Sequence, residues 1–106
     1  MKLEFIDHSE LDAFIRLLQE IVLTLEAELP SKTEILDRYE TEARIELLED
    51  LYPKVAKKQF NNQKKNSVTI TKAVGIIIFQ HREIALDVYA EMLKNRIVQD
   101  IHQEMV

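Results

Sequence analysis

Apolar residues recur along most of this chain at helical spacing. Leu11, Ile15, Leu18, Val22, Leu25 and Leu29 alternate steps of four and three, which places them on one face of an α-helix. Phe14, Leu17 and Ile21 widen that face beyond a strict coiled-coil seam, so it reads as the core-facing side of a helix in a bundle. Asp7 with Glu10 forms a capping-box pattern at its start, Ile6 and Leu11 are spaced as a hydrophobic staple, and Ser9 with Asp12 is a weaker alternative start. Pro30 ends the element, because the residue before a proline is pushed out of helical geometry.

A second helix is predicted from Ser31, with Glu34 completing another capping box. Its apolar positions include Leu36, Tyr39, Ala43, Leu47, Leu48 and Leu51. Pro53 breaks or kinks it, and a third helix over about 53–61 follows, with Tyr52, Val55, Ala56 and Phe60 on one side and lysines on the other. The polar run 61–67 reads as a loop. The alternation in Ser67–Thr71 suits a short strand, but no partner strand is evident, so an extended lead-in capped by Thr69 or Thr71 is expected.

A last helix is expected from about Lys72 to the C-terminus. Val74, Ile77, Ile78, His81, Ile84, Ala85, Val88 and Met92 form one stripe, whereas Ile97, Val98, Ile101 and Met105 fall nearly opposite. The apolar face therefore changes sides around Lys94, Asn95 and Arg96, and the helix either breaks near Asn95 or packs its last turns on something else. Unbroken, about 34 residues would span roughly 50 Å, against a diameter of about 33 Å for a compact domain of this size. That overhang calls for a partner, most simply a second copy. Ile76, Phe79, Ile97, Ile101 and Met105 are the candidate self-association residues.

The fold class expected is thus all-α: one domain over residues 1–106, a small bundle of four helices, or five if the chain breaks near Asn95. One glycine and two prolines among 106 residues agree with a helical chain. There are no cysteines, so disulfides and thiolate metal sites are excluded. The N-terminus has no apolar signal region, and the longest apolar run is far too short to span a bilayer. A cytoplasmic protein without membrane association is expected.

Charge changes the picture more than composition does. Residues 51–82 contain no Asp or Glu but carry Lys54, Lys57, Lys58, Lys64, Lys65, Lys72 and Arg82, while residues 1–50 hold 14 acids against 5 bases. Clustered like charges cost free energy unless opposite charge lies nearby. The leading expectation is that these lysines meet acidic surface of the first two helices, in this chain or a neighbour. Alternatively Lys54, Lys57, Lys58, Lys64, Lys65 and Lys72 contact a polyanion through phosphates. Against nucleic acid stand the absence of arginine between Arg44 and Arg82, the lack of a stacking platform, and an acidic pI near 5.2.

Other chemistry is thinly represented. Glu42, Glu46 and Asp50, and Glu83, Asp87 and Glu91, recur every four residues, but no Glu or Asp has a histidine three residues later, as a di-metal helical site requires. His81 lies within an apolar stripe and is expected to be satisfied by one hydrogen bond, with a pH switch as the sharper alternative. A single glycine, Gly75, precludes a phosphate-cradling loop or nucleophile elbow. No catalytic, cofactor or metal residues are nominated. The expected function is a non-enzymatic, self-associating (dimeric) helical protein–protein interaction or assembly module, with a small nucleic-acid- or polyanion-associated protein as the alternative.

Overall fold

A computed structural model describes residues 1–59 and 66–106. Among them are four helices and one two-stranded antiparallel sheet, in the order β1 (Lys2–Phe5), α1 (His8–Glu28), a 3-10 turn (Leu29–Ser31), α2 (Ile35–Lys58), β2 (Asn66–Thr69), α3 (Lys72–Gln80) and α4 (Val88–Met105). The protein is mostly helical, but the sheet corrects the all-α expectation. The partner of the Ser67–Thr71 segment is β1, in the register Leu3 opposite Val68 and Phe5 opposite Asn66. Leu3 and Phe5 alternate with exposed Lys2 and Glu4, the period-2 pattern of a strand with one buried face.

α1 is the centre on which α2, α4 and β1 pack, while α3 rests on α4 and α2. Leu11, Ala13, Phe14, Ile15, Leu17, Leu18, Ile21 and Leu25 are all buried, so the stripe read from sequence is the wall on which α2, α4 and β1 rest. Phe5 and Phe14 rings meet at 5.1 Å, tilted by 42°, a favourable aromatic geometry. Asp7 is the N-cap of α1: its Oδ1 accepts the Glu10 amide at 3.0 Å. Glu10 Oε1 in turn accepts the Ile6 amide at 2.7 Å. The staple does not form, because Ile6 is exposed while Leu11 is buried. Arg96 from α4 donates to both Glu10 carboxylate oxygens, at 2.8 and 3.0 Å, and to the Glu4 carbonyl at 3.0 Å. It thereby ties three elements at the end of the molecule where β1 meets α1.

The second capping box also fails. Ser31 lies in the 3-10 turn and donates to the Glu28 carbonyl at 2.7 Å, while α2 begins at Ile35 with Glu34 as a cap that makes no side-chain bond. Pro53 does not end the helix; α2 runs through it to Lys58. The carbonyl that loses its partner lies on a solvent-facing turn, and buried Leu48, Leu51 and Val55 on either side hold both halves to the same core. Helix three over 53–61 is therefore the end of α2, and its Phe60 and Asn61 lie outside the described residues.

The long C-terminal helix is two helices, and the break falls at 81–87 rather than near Asn95. Thr71, not Thr69, caps α3, accepting the Val74 amide at 3.2 Å. His81 closes α3, and its Nδ1 donates to the Ile77 carbonyl at 2.8 Å. Asp87 caps α4 by accepting the Ala90 amide at 2.9 Å and pairs with Arg16 of α1 at 2.5 Å. Because α4 starts afresh, its buried face is Ala90, Leu93, Lys94, Ile97 and Ile101, and the change of apolar side is the rotation between two helices. The overhang inferred for an unbroken helix disappears with it.

Lys94 fastens the connection between α3 and α4. Its side chain is 3% exposed, and Nζ donates to the Ile84 carbonyl at 2.5 Å and to Glu91 at 2.6 and 3.0 Å. Glu91 also accepts the Leu86 amide at 3.1 Å. A buried ammonium survives only when paired and hydrogen-bonded like this. The Lys94 hydrogen bond holds the Glu91 carboxyl below its usual 4.5, helped by the Leu86 amide and opposed by partial burial. Replacing Lys94 with Met keeps the stem's volume but strands the Ile84 carbonyl and Glu91. We expect a loss of about 1–3 kcal/mol in urea unfolding. Since the carboxyl is depressed in the folded chain, its contribution is present above about pH 4.5 and lost as pH falls through the lower folded value. Glu91→Gln should therefore flatten the acid limb of a stability–pH curve relative to wild type, and an unchanged limb would count against the clasp.

Candidate interaction surface

The nominated self-association residues do not form one surface. Ile97 and Ile101 are 1% and 0% exposed, within the core of one chain. They were assigned outward by extending the phase of α3 into α4, and the break at 81–87 turns them inward. Phe79 is half-buried, stacked on His102 at 5.9 Å with the Arg82 guanidinium 4.5 Å from its ring centre. Ile76 and Met105 remain about half exposed and share a cleft with Met1, Lys72 and Glu104.

The lysines fare differently. Lys54 and Lys57 are exposed and Lys58 half-buried on the last turns of α2; Lys72 is exposed at the start of α3. Lys64 and Lys65 lie outside the described residues. Among the described residues none of Lys54, Lys57, Lys58 and Lys72 forms an ion pair. Lys57 and Lys58 do complement the C-terminal end of the α2 dipole. Arg82 is used locally, on Phe79 and at 3.9 Å from Glu83.

Sequence reading missed the most conspicuous surface, although it named the residues. The apolar positions read for the second helix were Leu36, Tyr39, Ala43, Leu47, Leu48 and Leu51. The structure buries Leu48 and Leu51 together with Thr41, Ile45 and Val55, and the other four lie on a face centred about 140° away at 100° per residue. That face points to solvent: Leu36 is 71% exposed, Tyr39 65% and Leu47 37%, with Ala43 also exposed and Ile35 at 67% beside them. Every residue from Ile35 to Glu40 is exposed, and Thr41 is the first buried residue of α2. The signal was available in the two apolar spacings that run in parallel along α2, of which only one can face α1.

A separate furrow of about 380 Å³ lies between α1 and α2, floored by Leu18, Val22, Leu23, Leu48 and Tyr52 and edged by Glu20, Glu26 and Glu49. The helical acid stripes do not build a site. Asp87 is a cap, Glu91 holds Lys94, and Glu83 lies between helices. Among the described residues no group of three or more His, Asp or Glu is placed to hold a metal ion, and no helix is long and apolar enough to cross a membrane. Partial burial, with the Asp7 and Glu10 carboxylates nearby, raises the Tyr89 phenol above its ordinary value, so it stays protonated at neutral pH. No protein-family model, curated protein or solved structure matches the chain.

The two apolar sets predict opposite responses. Ile101→Ala should cost about 2–5 kcal/mol in chemical denaturation, as for a fully buried residue. Leu36→Ala and Tyr39→Ser should each stay within about 0.5–1 kcal/mol of wild type. Equal losses at both sites would mean that α2 buries the Leu36 face.

Proposed function

We propose that this protein is a non-enzymatic interaction module that self-associates through the outward face of α2. The observation that carries this reading is the exposed stripe Leu36, Tyr39, Ala43 and Leu47 on a helix whose other side already fills the core. Exposed apolar residues scattered singly are ordinary, but a contiguous row on a regular element marks a contact surface. The row occupies part of one helix of about 36 Å, so the contact falls at the small end of protein interfaces and its affinity in the micromolar range.

Sedimentation velocity between about 1 and 200 µM checks this, with a monomer–dimer equilibrium expected inside that window. The double substitution Leu36→Lys with Tyr39→Lys should leave the circular dichroism spectrum and thermal midpoint near wild type and abolish the dimer. A wild-type chain that stays monomeric throughout would sink the reading.

A second reading, polyanion binding, is favoured by the unpaired state of Lys54, Lys57, Lys58 and Lys72 among the described residues. Labelled oligonucleotides titrated at about 50 and 200 mM salt separate the two, since phosphate contacts weaken steeply with salt. The self-association reading expects no such binding, and a steep salt slope that falls on Lys54→Gln and Lys57→Gln would replace it.

A further inference from the structure

Resting on self-association through α2, the charge order along that helix fixes how two copies meet. At 100° per residue, Leu36, Tyr39, Glu40, Ala43, Leu47, Asp50, Lys54, Lys57 and Lys58 all fall within an arc of about 100°, and all are exposed except half-buried Lys58. Along this arc the N-terminal half is apolar with Glu40, and the C-terminal half is basic with Lys54, Lys57 and Lys58. Neither Glu40 nor any of these lysines forms an ion pair within the chain, among the described residues.

We infer that the α2 helices of two chains pair antiparallel, with the twofold axis beside Leu47. The occupant of the arc is thus a second copy of the same arc, as an isologous contact requires. With Leu47 opposite Leu47 of the second copy, Glu40 stands seven residues to one side and Lys54 seven to the other, so each Glu40 faces a Lys54. Leu36 and Tyr39 then face Lys54, Lys57 and Lys58, whose methylene stems cover apolar surface while their ammonium groups stay in water. A parallel pair would oppose Glu40 to Glu40 and each lysine to its own copy, which is repulsive throughout. An antiparallel pair centred on Ala43 would bury more apolar surface but would bring Glu40 against Glu46 and leave the lysines unmatched. The Asp50 carboxylates flank the chosen axis in both copies and oppose association, which keeps the dimer weak.

The absence of cysteine from the sequence makes single-cysteine variants clean reporters. A disulfide needs Cα atoms within about 7 Å. Leu47→Cys should therefore cross-link to itself under mild oxidation. Leu36→Cys should not, because its two copies lie about 33 Å apart along the pair (22 residues at 1.5 Å), but it should couple to Lys58→Cys in a mixed sample. Charge reversal gives an independent readout: Glu40→Lys and Lys54→Glu should each weaken the dimer about tenfold, the double variant should recover most of it, and Asp50→Asn should tighten it. Leu36→Cys cross-linking to itself as readily as Leu47→Cys would overturn the antiparallel arrangement while leaving self-association intact. Self-cross-linking at Ala43→Cys in place of Leu47→Cys would overturn the register. A dimer that survives Leu36→Lys with Tyr39→Lys would place the contact elsewhere and overturn the pairing, and a strictly monomeric chain would overturn both this inference and the reading beneath it.

Discussion

The fold depends on burying the wide apolar face of α1. That helix presents eight buried side chains over 21 residues, more than one neighbour can cover, so three elements gather on it. α2 lies along one side, α4 along another, and β1 closes the end beside Phe14. At about 25 cal/mol for each Å² of apolar surface removed from water, this is the largest favourable term available to so small a chain. The polar contacts that set direction are fewer and sit at the junctions. Arg96 joins α4 to Glu10 and Glu4, Arg16 joins α1 to Asp87, and Lys94 secures the turn between α3 and α4. Each junction brings together residues distant in sequence or closes a connection, whereas the helices themselves need only local pattern and packing.

That arrangement has a consequence for α2. Only one face of a helix can lie on α1, and α2 carries two sets of apolar residues. The set that wins includes Ile45, Leu48 and Val55, together with Thr41, whose hydroxyl is satisfied by the Asp37 carbonyl at 2.9 Å. The set that loses includes Leu36, Tyr39 and Leu47. Length sharpens the imbalance: α2 has 24 residues against 21 in α1, and its first six residues, Ile35 to Glu40, are all exposed. Surplus apolar surface was foreseeable; part of it lies toward the end of the chain, at Ile76, Val88, Met92 and Met105, and part on α2.

Helix existence was readable from sequence, and helix boundaries were readable only where a cap was specific. Asp7 and Thr71 cap as their side chains suggest. Ser31 does not, since the 3-10 turn after Pro30 moves the start of α2 four residues on. The break at 81–87 carries neither glycine nor proline, so no breaker announces it. What it does carry is Asp87 followed by Ala90, Leu93, Ile97 and Ile101 at steps of three and four, a new cap opening a new phase. Reading a change of apolar side as a break at its midpoint, rather than as a fresh start at the nearest capping residue, misplaced Ile97 and Ile101. The sheet was missed for another reason. Four-residue strands carry too little period-2 signal to stand alone, and Lys2–Phe5 and Asn66–Thr69 recognise one another only when α1 and α2 have brought chain positions more than 60 residues apart together. For the candidate surface, the residues were legible and their orientation was not, because orientation is decided by which of two stripes complements α1 better.

Electrostatics follows from the same competition. A lysine cluster in an acidic chain invites the expectation that the chain neutralises itself, yet several of its acids are committed elsewhere. Asp87 and Glu91 serve helix ends and Lys94, Glu10 serves Arg96, and Glu20, Glu26 and Glu49 edge the furrow between α1 and α2. Folding leaves Lys54, Lys57 and Lys58 without ion pairs among the described residues, on the same arc as an unburied apolar row, Glu40 and Asp50. Exposed charge by itself costs little in water, and neither does an isolated exposed leucine. Their coincidence on one face of one regular helix is what the proposed twofold contact would use, with Glu40 toward one end and the lysines toward the other.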